Sequence, residues 1–374
     1  MIINLKKFKA NSKVIYEAFK KNLNEVSMIR LYQCDNNLVI QGKCQALCFK
    51  ILVPNLDDKE DDFSCAMTAE EFERFFKSKK SINKDLKLCL NGTHLDVSIL
   101  EQKEMESFAC VKTKAPRIKK ESLFETEIFF VKDLIQFQGL IKSLTKSSHL
   151  TFSNLCLCEE KKNQLVFTAS DSISTHRLSI PLKKTYDGAK KLPLNLLPYL
   201  KKLYPILELD MTIEGLEQGI IFKTSNLEVF MPYSEGQFPD LDFIFHSTKL
   251  RSSQFTKIEV DSFIHSIYKE KDESKVAHLY SYKEDSGNEI ELEAILDKTE
   301  KAVALMNFEA NKVGSVYPFA FFDEIRIKAN DVFVEFKLLQ DIVKIMDSGT
   351  YSQLENGTIL IEKGLQQSIL CPLQ

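Results

Sequence analysis

Tryptophan is absent from this chain, and glycine and proline are scarce, at 12 and 10 residues of 374. The first absence argues against a platform for stacking unpaired bases, which is built on exposed aromatic rings. Among the few glycines neither G-x-G-x-x-G nor a Walker pattern occurs, so there is no phosphate-cradling loop. G-x-S-x-G and H-E-x-x-H are missing as well, which removes the common hydrolase and zinc-protease signatures. No apolar run reaches the ~18 residues of a membrane-spanning helix. The N-terminal M-I-I-N-L-K-K-F-K lacks the apolar core and cleavage site of a signal peptide, so the expectation is a cytoplasmic protein with no membrane partner.

A basic excess is missing too. Lys and Arg number 50 against 53 Asp and Glu, giving a net charge of -3 and a pI near 6.2. A protein that grips DNA through overall charge usually carries the opposite balance. Contact with DNA therefore requires lysines gathered on one surface.

Nine cysteines in a chain of this length do not make a disulfide framework. The close pairs, Cys44 with Cys48 and Cys156 with Cys158, lack the C-x2-C spacing and companion histidines of a zinc site, so neither metal nor cofactor is expected. Alternation places Cys156 and Cys158 on one strand face, as small apolar residues.

What is present is an ordinary globular composition, 44% hydrophobic and 28% charged, long enough for two or three domains. A strand at Met1–Leu5 precedes a helix over Ser12–Leu23, with Val14, Ile15, Ala18, Phe19 and Leu23 on one face and Lys13, Lys20 and Lys21 off it. Strands follow at Met28–Tyr32, Leu38–Ile40 and Ala46–Val53, then a helix from Thr68 whose Glu71 has capping-box spacing. Phe72, Phe75 and Phe76 form its apolar side, and Lys77, Lys79 and Lys80 its tail. A hairpin turning at Asn91-Gly92 closes this span. Lys112–Lys120, charged and without periodicity, reads as a linker.

The same plan returns twice. In the second span a strand near Glu127–Phe130 leads to a helix with Leu134, Ile135, Leu140, Ile141 and Leu144 inward and Lys142 and Lys146 outward. A second helix, around Asn195–Leu203, carries Lys201 and Lys202, and strands Glu208–Ile213 and Gly219–Thr224 follow. The third span has strand Thr256–Val260, a helix from Asp261, a β-rich stretch to Ala329, a helix over Glu335–Met346 and a hairpin turning at Asn356-Gly357. A period of roughly 120 to 140 residues is that of a domain. The fold expected is α+β, with three repeated units at 1–116, 121–246 and 252–374, each of two helices on antiparallel sheets. The lysines recur off the buried faces of these helices, where they are suited to sequence-independent contact with phosphates.

In the middle of the chain L-V-F-T-A-S-D-S-I-S-T-H-R-L-S-I, residues 165–180, reads as a hairpin with a polar tip at Asp171 and Ser172. Asp171, Ser174 and His176 supply the residue types of a catalytic triad, but a working triad draws its members from separate elements. This hairpin resembles the A-T-D-x-H-R-L segment of the bacterial DNA polymerase sliding clamps. G-Q-F-P-D-L-D-F-I-F at 236–245 is similar to their G-x-F/Y-P-D segment, and the final S-I-L-C-P-L-Q to their M-P-x-R-L ending.

The resemblance implies three similar domains forming half of a ring. Two copies, a homodimer, close head-to-tail around double-stranded DNA, with helices lining the hole. Topological retention tolerates a slightly acidic chain. It implies a non-enzymatic tether for a DNA polymerase catalytic subunit, placed on DNA by a clamp loader, and a hydrophobic pocket for partner peptides between the second and third domains. The pocket falls on Ser170, His176, Arg177, Leu178, Pro239, Ile244, Ile369, Leu370, Cys371, Pro372 and Leu373. The DNA-facing residues are then Lys13, Lys20, Lys21, Lys77, Lys80, Lys142, Lys146, Lys201 and Lys202. Two extra residues before His176, Cys371 in place of methionine and Gln374 at the end depart from the family pattern. The alternative is a clamp-fold adaptor that binds peptides without encircling DNA.

Overall fold

The computed structural model describes residues 1–9, 28–44, 47–57, 63–78, 85–100, 105–114, 121–144, 151–171, 173–197, 200, 209–255, 280–283, 289–292, 302–306, 316–320, 332–335, 341–342 and 344–371. Among the described residues antiparallel sheet dominates, with few helices. The chain divides into two compact units: Met1–Ile135 with Cys158–Leu165 and Ile180–Glu235, and Gln136–Leu157 with Val166–Ser179 and Gly236–Gln374.

In the first unit, Ile2–Asn4, Asp85–Asn91, His94–Ile99 and Met105–Ala109 lie side by side as one sheet, with Met105–Ala109 on an edge. Their turn is built on Gly92, whose φ of +60° makes it the first residue of a two-residue loop; Asn91 is still in the strand, paired with His94. A longer ladder runs from Val111–Lys112 through Ser64–Met67, Ile29–Cys34, Asn37–Cys44 and Leu47–Pro54. It continues into Leu227–Pro232, Gly219–Lys223, Asp210–Gly215 and Phe124–Thr126. The join is at Leu227–Phe230, where Leu227 faces Ile51 and Phe230 faces Cys48. Strands from the first two sequence spans thus share one sheet. Gly215 sits opposite Phe124, and a Cβ there would lie 2.0 Å from the ring, so the aromatic covers the space the glycine leaves.

Of the capping box expected at the start of the helix Ala69–Ser78, the Thr68 half is seen. The Thr68 hydroxyl accepts the Glu71 amide at 3.2 Å, while the Glu71 carboxylate reaches across to the Ala109 amide at 3.0 Å. Its inward Phe75 lies with ring centroid 4.9 Å from Phe8 and 5.2 Å from Phe108, forming an aromatic core under the edge strand. In Val131–Ser143 the expected inward residues Leu134, Ile135, Leu140 and Ile141 are buried, as is Leu144 just beyond, and Lys142 is exposed.

The second unit holds the strands Lys249–Phe255, Gly349–Leu354, Ile359–Lys363 and Gln366–Leu370, paired in that order. Gln366–Leu370 then pairs with Ser174–Leu178 of the central hairpin. A further sheet places Ala302–Met306 between Val316–Ala320 and Val332–Glu335.

Two expectations are corrected, and one turn is found that was not expected. The stretch read as a linker starts in a ladder: Lys112 pairs with Cys65, and the Thr113 amide donates to the Ser64 carbonyl at 3.0 Å. Charge had masked a strand whose partner is distant in sequence. Glu335, expected to open a helix, closes a strand, and the helical residues described are 341–342 and 344–346. A turn the sequence did not announce joins Leu155–Lys161 to Gln164–Ser170, where Lys162 and Asn163 both take left-handed φ, +52° and +63°. The helices expected over Ser12–Leu23 and from Asp261, and most of Asn195–Leu203, lie outside the described residues; Leu197 and Leu200 are helical and buried.

Candidate functional site

The tip of the central hairpin is held by one carboxylate. Asp171 Oδ1 accepts the amides of Ile173 at 3.0 Å and Ser174 at 2.8 Å, and the Ser174 hydroxyl at 3.3 Å. These contacts turn the chain at Asp171, as the sequence suggests; Ser172 lies outside the described residues. The Ser170 hydroxyl donates to the Ser174 carbonyl at 3.0 Å and lies 2.8 Å from the Thr175 hydroxyl. The Cys371 amide donates to the Ile173 carbonyl at 2.9 Å.

Strand register then brings the two ends of the expected pocket together. Thr175 faces Ile369, His176 faces Ser368, Arg177 faces Gln367 and Leu178 faces Gln366. His176 is fully buried with Nδ1 2.9 Å from the Ser368 hydroxyl. Burial pushes its pKa from 6.5 down to about 4, against a smaller opposing pull from Asp171. The ring is therefore neutral at pH 7 and works as a hydrogen-bonding spacer between strands. The Ser174 hydroxyl is directed at Asp171 and the His176 ring at Ser368, on a different strand. The same surroundings raise the Cys371 thiol, by burial first and Asp171 second, which keeps it an inert thiol.

Arg177 carries the strongest polar contacts. Its Nη2 donates to Asp242, its Nε donates to the Thr168 hydroxyl at 3.2 Å, and its guanidinium lies 3.7 Å from the Phe245 ring centroid. Asp242 and Phe245 come from the short helix Asp242–Phe245, reached through Gly236 with φ +141°. A Cβ on Gly236 would stand 2.6 Å from Leu155, so both conformation and space call for glycine. Beside Arg177, Ile244 and Phe245 pack on a core of Leu354, Leu360 and Ile369.

Of the pocket residues expected, Leu178, Ile369 and Leu370 are core, at most 1% exposed, and Ser170, His176 and Arg177 are buried polar groups. Pro239, Ile244 and Cys371 are half-buried and form the accessible part. Pro372 and Leu373 lie outside the described residues. Sequence reasoning missed the roles of Asp242, Phe245, Thr168 and Ser368. Asp242 and Phe245 lie within the G-Q-F-P-D-L-D-F-I-F segment and Ser368 opens the S-I-L-C-P-L-Q segment, whereas Thr168 is an ordinary strand residue.

Among the lysines expected to face DNA, Lys77 is exposed and paired with Glu73 one turn earlier, and Lys142 is exposed. Lys13, Lys20, Lys21, Lys80, Lys146, Lys201 and Lys202 lie outside the described residues. Among the described residues no group of three or more His, Cys, Asp or Glu is placed to hold a metal ion, and no helix is long and apolar enough to cross a membrane.

Among the described residues, then, antiparallel sheets continued by pairing between distant strands, with few helices, define the architecture. No protein-family model and no curated protein sequence matches the chain. Solved structures do. The DNA polymerase sliding clamp from Bacillus subtilis superposes with a TM-score of 0.64 at 13% identity, covering 100% of this chain and 98% of that one. The Helicobacter pylori beta clamp, solved with a DNA ligase peptide, gives 0.63 at 14%, with both chains fully covered. The DNA polymerase III subunit beta from Pseudomonas aeruginosa gives 0.62 at 10%, over 100% and 99%. The chain has the fold of the bacterial DNA polymerase III beta sliding clamps, from end to end and at very low identity.

Proposed function

We propose that this chain is a divergent sliding clamp. Two copies close head-to-tail into a ring around double-stranded DNA and tether a DNA polymerase, after placement by a clamp loader. The three units are residues 1–116, 121–246 and 252–374. The observation that carries this reading is the match to sliding clamps over the full length of both chains. Edge-to-edge strand pairing inside the chain agrees with it, since Leu227–Phe230 on Cys48–Ile51 and Ser174–Leu178 on Gln366–Leu370 continue sheets past the sequence repeats. A net charge of -3 fits retention by topology better than retention by affinity. The protein has no catalytic task in this reading.

Retention on DNA is the test. Loaded on nicked circular plasmid, the protein should stay bound through a salt wash and leave when the plasmid is cut once. Equal retention on circular and linear DNA rejects encirclement. We propose the edge strand Met105–Ala109 as the contact with a second copy, with Met105 62% exposed; Glu71 on the Ala109 amide and Arg74 on the Ser107 carbonyl engage this edge and would have to yield to a partner strand. Met105→Lys puts a charge on that edge without touching the core, and should weaken dimerisation about tenfold in analytical ultracentrifugation. An unchanged dimer constant places the contact between copies elsewhere.

The second part of the reading is a partner-peptide site around Pro239, Ile244 and Cys371, floored by Leu178, Ile369 and Leu370, together with the buried Ser170, His176 and Arg177; Pro372 and Leu373, expected in it, lie outside the described residues. The half-buried apolar side chains over a fully buried core support it, as does the peptide bound to the Helicobacter pylori clamp.

A further inference from the structure

We infer that Glu71 and Arg74 form a displaceable clip that stands in for a partner strand on the edge Met105–Ala109, so that each chain carries its own brake on pairing with a second copy. This rests on the contact between copies proposed above and adds what opens and closes it. Backbone groups along a strand alternate between facing the neighbouring strand and facing away from it. The Cys110 amide donates inward, to the Thr93 carbonyl, so the alternation turns the groups of Ser107 and Ala109 outward. There the Ala109 amide donates to Glu71 Oε2 at 3.0 Å. Arg74 Nη2 donates to the same oxygen at 2.8 Å and to the Ser107 carbonyl at 2.9 Å. The two side chains thus present one acceptor and one donor to the strand, as a neighbouring strand would.

The clip can leave without the fold moving. Phe72 and Phe75 hold its helix in the core at 2% and 1% exposed, whereas the side chains of Arg74 and Glu71 are 56% and 25% exposed. An ion pair this open to water is weak and easily exchanged. Glu71 also has a second berth. It stands at capping-box spacing from Thr68, whose hydroxyl already accepts the Glu71 amide, and a complete box sends this carboxylate back to the Thr68 amide. When closed, the clip is steadied by the Arg74 guanidinium, 4.9 Å from the Phe108 ring centroid. To either side of it apolar residues stay open, Met105 at 62% and Val111 at 60%. Charged side chains over the hydrogen-bonding groups of an edge discourage casual pairing. A second copy overcomes them because it brings a run of backbone hydrogen bonds and covers the apolar ends as well.

The test uses the full chain with Glu71→Ala, Arg74→Ala and, as a charge control on the same helix, Glu70→Ala. Removing an internal competitor enlarges the fraction of chains competent to pair, so both clip variants should dimerise about fivefold more tightly in analytical ultracentrifugation, with the control unchanged. Hydrogen exchange resolved at the Ala109 amide, in protein dilute enough to be monomeric, reads the clip directly. That amide should exchange about fivefold faster in Glu71→Ala than in the wild type. Unchanged or weaker dimers in both clip variants overturn the inference, since the two side chains then only brace the strand. So does an Ala109 amide that exchanges equally fast in wild type and Glu71→Ala. Species larger than a dimer in the clip variants overturn the second copy as the natural occupant of the edge. Absence of a dimer in every protein, or a dimer indifferent to Met105→Lys, overturns the proposed contact between copies instead, while exchange at Ala109 still decides whether the clip exists.

Discussion

Lowering the pH from 7 to 4 is expected to cost this protein about 3 kcal/mol of stability through His176 alone. The folded ring titrates at about 4 because burial excludes the charged form, whereas a histidine in the unfolded chain titrates near 6.5. Between those values the unfolded chain binds a proton that the folded chain does not, so stability falls as pH falls. Above pH 6.5 both states are neutral and the contribution is complete; below pH 4 both are protonated and it is gone. Urea denaturation of the wild type and His176→Gln across this window measures the term as a difference in slope, since the carboxylates are common to both. Parallel curves would mean that His176 is solvated in the folded protein.

Phe75→Ala should be comparably severe, at about 3–5 kcal/mol, by emptying the centre of an aromatic cluster. Phe75 is 1% exposed and contacts Phe8, Phe72 and Phe108 with centroids 4.9 to 6.3 Å away. These rings come from three separated parts of the chain, so the cavity cannot close by moving one side chain. The loss also reaches the edge strand proposed to meet a second copy, because Phe108 belongs to it. Chemical denaturation should show the loss of stability, and a weakened dimer should accompany it. A change below about 1 kcal/mol would indicate a loosely packed core.

Periodicity made the architecture readable. Alternating apolar residues in 28–53 and 208–224 gave strands within a few residues of those found, and Phe72 and Phe75 at helical spacing gave the buried side of Ala69–Ser78. The Asn-Gly turn was legible because one backbone geometry demands a particular residue. The Lys162-Asn163 turn was not, since lysine is a poor occupant of left-handed φ and the strands on either side dictate the conformation. The site divides in the same way. His176 and Arg177 stood out as polar residues in an apolar strand. Their partners Ser368, Asp242 and Phe245 lie in quoted segments, but nothing local names them as partners: strand register selects Ser368, and the placing of the short helix Asp242–Phe245 selects the other two.

That register has a kinetic consequence. His176 and Ser368 are separated by 192 residues, so their contact closes a very long loop of chain. The entropy of closure delays such pairing behind every local hairpin. During synthesis the strand beginning at Ser174 emerges long before Gln366–Leu370, and its hydrogen-bonding edge stays open in the meantime. The proposed ligand site is thus among the last parts of the molecule to mature, and a chain stalled before residue 366 carries a sticky strand in its place.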